Sequence, residues 1–117
     1  MWSFGCILAE LYTGRPLFPA IDENELVELI NMMIGIPSKE MIRKAKKKNQ
    51  FFDKDGNVIM STKSRVFGVE TLSFPLENSI FNDGPADELF LNFILKCLEV
   101  DPALRWGPDE ALIHPWL

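Results

Sequence analysis

Few side chains in this 117-residue chain have the types and spacing that chemistry needs. Asp53-Lys54-Asp55-Gly56-Asn57 spaces oxygen donors as a calcium loop would. In such a loop the glycine stands sixth and a glutamate twelfth; here the glycine is fourth from Asp53 and the twelfth position is Ser64, so a tight turn is the better reading. His114 is the only histidine and has no partners for a metal or a triad, so it reads as a helix-end residue meeting the last carbonyls. Cys6 and Cys97 sit in apolar helical runs at opposite ends, with no zinc spacing, and read as buried free thiols. The run Arg43-Lys44-Ala45-Lys46-Lys47-Lys48 fits a nuclear-localisation signal or a patch for an acidic partner. In an acidic chain a solvated helix face is the preferred reading. No catalytic, cofactor-binding or metal-ligating residue is expected.

The composition agrees. A net charge of −5 gives no reason to expect nucleic acid or an anionic membrane as partner, and 47% hydrophobic residues exclude a disordered tail. There is no run of 18 apolar residues, hence no membrane span. Met1 to Ala9 lacks the basic flank of a signal peptide, and Glu10 interrupts it. An intracellular place, cytoplasmic or nuclear, is expected.

The elements that would position these groups are helical. Met1 to Leu11 is apolar or small at nearly every position, which predicts a helix buried on all sides. It should run to about Tyr12, stopped by Gly14 and Pro16. Asp22 caps a second helix with Glu23 and Glu25 in its first turn, and Leu26, Val27, Leu29, Ile30, Met33 and Ile34 form its apolar face. Ser38 caps a third helix to about Lys47, with Met41, Ile42 and Ala45 inward. From about 50 to 85 the pattern is irregular, with a hairpin at Asp55-Gly56-Asn57. Asp87 caps a helix through Val100 that is apolar nearly all round. Gly107-Pro108-Asp109-Glu110 opens a last helix that stops at Pro115.

Two segments carry a family resemblance. Met1-Trp2-Ser3-Phe4-Gly5-Cys6-Ile7-Leu8-Ala9-Glu10-Leu11, with Gly14 and Pro16-Leu17-Phe18, resembles helix F of eukaryotic protein kinases. Asp101-Pro102-Ala103-Leu104-Arg105, Pro108-Asp109-Glu110-Ala111-Leu112 and His114-Pro115-Trp116-Leu117 resemble the helix H to helix I signature of that fold. An insert before Asp87, with Gly35-Ile36-Pro37 and Phe51-Phe52-Asp53, is similar to the CMGC group and most like the dual-specificity tyrosine-regulated kinases. The resemblance implies a mainly α fold over residues 1–117: a partial kinase C-lobe with an irregular insert between the helix G region and helix H.

It also implies roles. Trp2 would pack beneath the activation segment, and Ile7 and Leu11 would stand at the foot of the apolar column that ends on the adenine ring. All three are expected in the core. Arg105 would pair with the glutamate of an Ala-Pro-Glu motif; the residues alone allow a second reading, a loop arginine capping the preceding helix's carbonyls. The parent would use ATP and Mg2+ and act on protein substrates. This chain, however, holds no glycine-rich loop, strand lysine, catalytic-loop aspartate or Asp-Phe-Gly, so it is expected to be inactive alone. Three readings follow: part of a kinase whose gene was read from an internal methionine, a stand-alone protein-binding module, or a gene remnant. Left uncovered, the first helix is expected to drive self-association.

Overall fold

Capping chemistry sets four of the helix ends in the computed structural model, which describes residues 1–60 and 85–117. Helix α1 spans Trp2–Thr13 and stops where Gly14 turns left-handed at φ 72°, its amide donating to the Glu10 carbonyl. Helix α2 spans Glu23–Met33. Asp22 Oδ1 accepts the Glu25 amide, and Glu25 Oε2 reaches back to the Ile21 amide at 3.0 Å. That reciprocal cap buries Glu25, and Glu28 is buried a turn later, while Leu26 faces solvent. The buried stripe is thus rotated from the expected apolar face onto Glu25, Glu28, Leu29 and Met33.

The third predicted helix is two. Helix α3 covers Lys39–Lys44 behind its Ser38 cap, and helix α4 covers Lys48–Phe51. Ala45 is extended at the break and exposed rather than inward. A continuous helix would stack five like charges over two turns, whereas the break turns the chain so that Phe52 becomes buried. The expected hairpin is present: Phe52 and Val58 form an antiparallel bridge around Asp53–Asn57, with Gly56 at φ 80°. The rest of the expected irregular insert, residues 61–84, lies outside the described residues.

Helix α5 is Pro85–Cys97, so it begins two residues before the predicted cap Asp87 and ends three before Val100. Proline, lacking an amide hydrogen, suits a first turn. Helix α6, Pro108–Leu112, opens as predicted but ends before Pro115. The fold is therefore mainly α.

Helix α1 packs on α5. Ala9, Leu17, Met33, Phe90, Ile94 and Leu98 form one core cluster; Phe93, Cys97 and Ala111 form a second beside it. Both cysteines are free; Cys97 is buried, Cys6 only half so, and burial raises both thiols above their ordinary value. The opposite face of α1 is bare. Ile7 is 55% and Leu11 76% exposed, whereas Phe4 and Tyr12 at its edges reach the Phe93 and Phe90 rings of α5, so the expectation that Ile7 and Leu11 are core residues fails in this chain. The reason is that α5 covers only one side of a helix that is apolar on all sides. Covering each such side chain is worth roughly 1.5–3 kcal/mol. The chain is therefore expected to sediment as oligomers, and Ile7→Gln with Leu11→Gln to shift it to monomer. A monomeric parent chain with a sharp, reversible melt would show that this face needs no cover.

Candidate functional site

Arg105 follows α5 in the Asp101–Arg105 turn, and its side chain folds back over the helix end. Nε donates to the Glu99 carbonyl at 2.7 Å and Nη2 to the Val100 carbonyl at 3.2 Å. These bonds take up two carbonyls of the segment that follows α5, past its last helical residue Cys97. The guanidinium also lies over the Trp2 ring, 5.1 Å from its centroid, and Trp2 stacks on Phe18 at 5.8 Å and 12°. A cation above an aromatic face is attracted by the ring quadrupole, and here the ring is half-buried. The side chain holds the turn after α5 to Trp2. Among the described residues Arg105 has no carboxylate partner.

Trp2 and Arg105 form one wall of an apolar cleft of about 300 Å³. Val27, Ile30 and Pro37 from the α2 region, Phe52 and Val58 from the bridge, and Val100 complete it. The site residues Trp2 and Arg105 thus come together; Ile7 and Leu11 do not join them. Sequence reading missed the cleft because its lining is scattered from residue 2 to residue 105 with no common spacing.

His114 also departs from expectation. It is buried, with its Nδ1 accepting the Trp116 amide at 3.0 Å and Nε2 3.1 Å from Asn92 Oδ1. A backbone amide can only donate, so the proton sits on Nε2 and is given to Asn92. The ring packs between Phe93 and Trp106, at 5.3 and 5.5 Å. It is a structural pin between α5 and the C-terminal turn.

The Asp53 turn uses its acid internally. Oδ1 accepts the Asp55 and Asn57 amides, both at 2.9 Å. The Asn57 amide first, and then that of Asp55, holds the Asp53 carboxyl below its ordinary 3.8. A depressed folded value means that the turn's contribution is complete above 3.8 and is lost as pH falls through the lower, folded value. The Asn57 and Asp55 amide resonances should therefore move only at pH below 3.8. Movement centred above that value would refute the carboxylate's role in the turn.

The protein kinase domain model matches residues 1–117, the whole chain, and the chain belongs to that family. Within it, the likeness is to the dual-specificity tyrosine-phosphorylation-regulated kinases of the CMGC group. Over its full length the chain is 43% identical to dual specificity tyrosine-phosphorylation-regulated kinase 2 of Drosophila melanogaster, of which it spans 16%. It is 40% identical to the probable serine/threonine-protein kinase dyrk2 of Dictyostelium discoideum, spanning 13%, and 39% to dual specificity tyrosine-phosphorylation-regulated kinase 4 of Homo sapiens, spanning 22%. The chain thus covers less than a quarter of these relatives.

Protein kinases use ATP and Mg2+. The residues present do not fit that pair: no group of three His, Cys, Asp or Glu that could hold a metal occurs among the described residues, and the 117 residues contain no phosphate-cradling glycine loop. No helix among the described residues is long and apolar enough to cross a membrane.

Proposed function

We propose that these residues form the helical floor of a kinase C-lobe, helix F to helix I. The parent would transfer the ATP γ-phosphate to protein hydroxyls of serine or threonine, with tyrosine as a dual-specificity extension. This chain supplies scaffold and docking surface and no reacting group. It works inside the cell, in cytoplasm or nucleus, on protein substrates or docking partners, without nucleic acid or membrane. The supporting observation is Arg105: oriented by two carbonyls and the Trp2 ring, on a cleft wall, with no carboxylate partner among the described residues. A planar fork held this way suits a bidentate carboxylate, and the resemblance supplies one, the glutamate of an Ala-Pro-Glu motif. The bare face of α1 supports the same reading, since Ile7 and Leu11 at the foot of the apolar column need neighbours to cover them.

The test joins an Ala-Pro-Glu peptide ahead of Met1 through a flexible linker, which gives it a millimolar effective concentration of about that order. Tm should rise by about 4 °C, the shift that about 1 kcal/mol makes in a small domain. Replacing the peptide's glutamate by glutamine should abolish the rise. An equal rise with glutamine, or phosphotransfer from ATP–Mg2+ to myelin basic protein by the chain alone, would overturn the reading.

A further inference from the structure

Residues 39–55 hold seven of the chain's twelve cations and only three of its seventeen acids, although the chain as a whole is at −5. The fold gathers part of that excess into one groove of about 600 Å³, between α3, the start of α4 and the Asp53–Asn57 turn. Lys39, Arg43, Lys48 and Lys54 line it, with Ile42 and Phe52 as its apolar part. Lys39 and Arg43 lie one turn apart on α3 and so stand side by side.

These four cations make no ion pair among the described residues. Their neighbours are engaged: Lys44 with Glu40 at 2.9 Å and Lys47 with Glu23 at 3.1 Å. Two acids also line the groove: Asp53 is turned to its own backbone amides, and Asp55 stands against four cations, so the lining keeps a net positive charge. The walls are tied in place, since Gln50 Nε2 donates to Asn24 Oδ1 at 3.0 Å and so joins α4 to α2. The groove is therefore a held, positively charged surface with an apolar patch, inside an otherwise acidic chain.

We infer that this groove docks a short anionic protein segment, an acidic or phosphorylated peptide, with an apolar side chain seated against Ile42 and Phe52. Arg43 can hold a carboxylate or phosphate through its planar fork, and the lysines act as point charges beside it. Charge complementarity selects a short occupant. Outside residues 39–55 the chain carries fourteen acids against five cations, so a long polyanion such as duplex DNA would be repelled beyond the groove. The apolar patch also favours a peptide over a uniformly charged backbone. This docking role is independent of the carboxylate partner proposed for Arg105.

The experiment uses the full chain in the Ile7→Gln/Leu11→Gln background, titrated with fluorescein-labelled Leu-Asp-phosphoSer-Asp-Glu, its unphosphorylated counterpart, and a duplex DNA. Saturable peptide binding is expected. Replacing Lys39, Arg43, Lys48 and Lys54 by Gln should weaken it about thirtyfold, the combined effect of four exposed pairs. The charge-matched set Lys44→Gln, Lys46→Gln, Lys47→Gln and Lys96→Gln should change it less than about threefold. In the unsubstituted groove, peptide should shift the amide resonances of residues 39–56. Tighter binding of the phosphopeptide assigns the site to phosphorylated segments, and equal binding to acidic ones; either supports the inference. No peptide binding, equal losses in the two sets, amide shifts confined to other residues, or DNA binding as tight as peptide would each overturn it.

Discussion

Phe93→Ala is expected to abolish the cooperative unfolding transition of this chain. Phe93 is 1% exposed and joins four pieces of structure at one point. Its ring lies 4.9 Å from Trp116, 5.3 Å from His114 and 6.2 Å from Phe4 of α1, and it clusters with Cys97 and with Ala111 of α6. Truncation leaves a void whose walls belong to separate elements, so no single side chain can collapse into it. Losses of about 3–5 kcal/mol are usual for such a change. A whole domain has only about 5–15 kcal/mol, and a chain with one bare helix face begins at the low end. Leu89→Ala, one turn earlier on α5 but 39% exposed, should cost about 0.5 kcal/mol. Urea and thermal melts followed by circular dichroism separate the two. If both variants melt alike, the core is not centred on Phe93.

Gly5→Leu is expected to be nearly as damaging, against helix propensity. A β-carbon at Gly5 would sit 2.9 Å from Cys97 Cβ and 3.1 Å from Leu98 Cδ2. Cys97 Cβ is fixed to the α5 backbone, so α1 and α5 would have to move apart and open both core clusters. Overpacking of this kind costs about 1–3 kcal/mol even for small additions. Gly5→Ala tests the sign: propensity alone predicts a gain of about 1 kcal/mol, and the contact predicts that this gain is cancelled or reversed. Combining Gly5→Ala with Cys97→Gly removes the opposing β-carbon, and the cycle should show favourable coupling. A higher denaturant midpoint for Gly5→Ala alone would mean that the helices do not meet this closely.

What could be read in the sequence is what is decided within a few residues. Gly14 ending α1, Asp22 and Ser38 as caps, the turn at Gly56 and Gly107-Pro108 opening α6 all rest on hydrogen bonds or dihedrals spanning four residues or fewer. The kinase resemblance was legible for a related reason, because its motifs are short local strings at the two ends. The basic groove was half legible: the charge run is plain, but which cations face the groove depends on the break at Ala45.

Tertiary structure decided the rest. Arg105 bonding the Glu99 and Val100 carbonyls while lying over Trp2, the burial of His114 against Asn92, and the rotation of α2 onto Glu25 and Glu28 depend on which elements meet. So does the state of α1. Its sequence requires protein on every side, but only packing shows that α5 covers the Gly5 and Ala9 side and leaves Ile7 and Leu11 in water. Hydrophobicity states how strongly a surface favours cover; the elements that fold against it determine which part receives it.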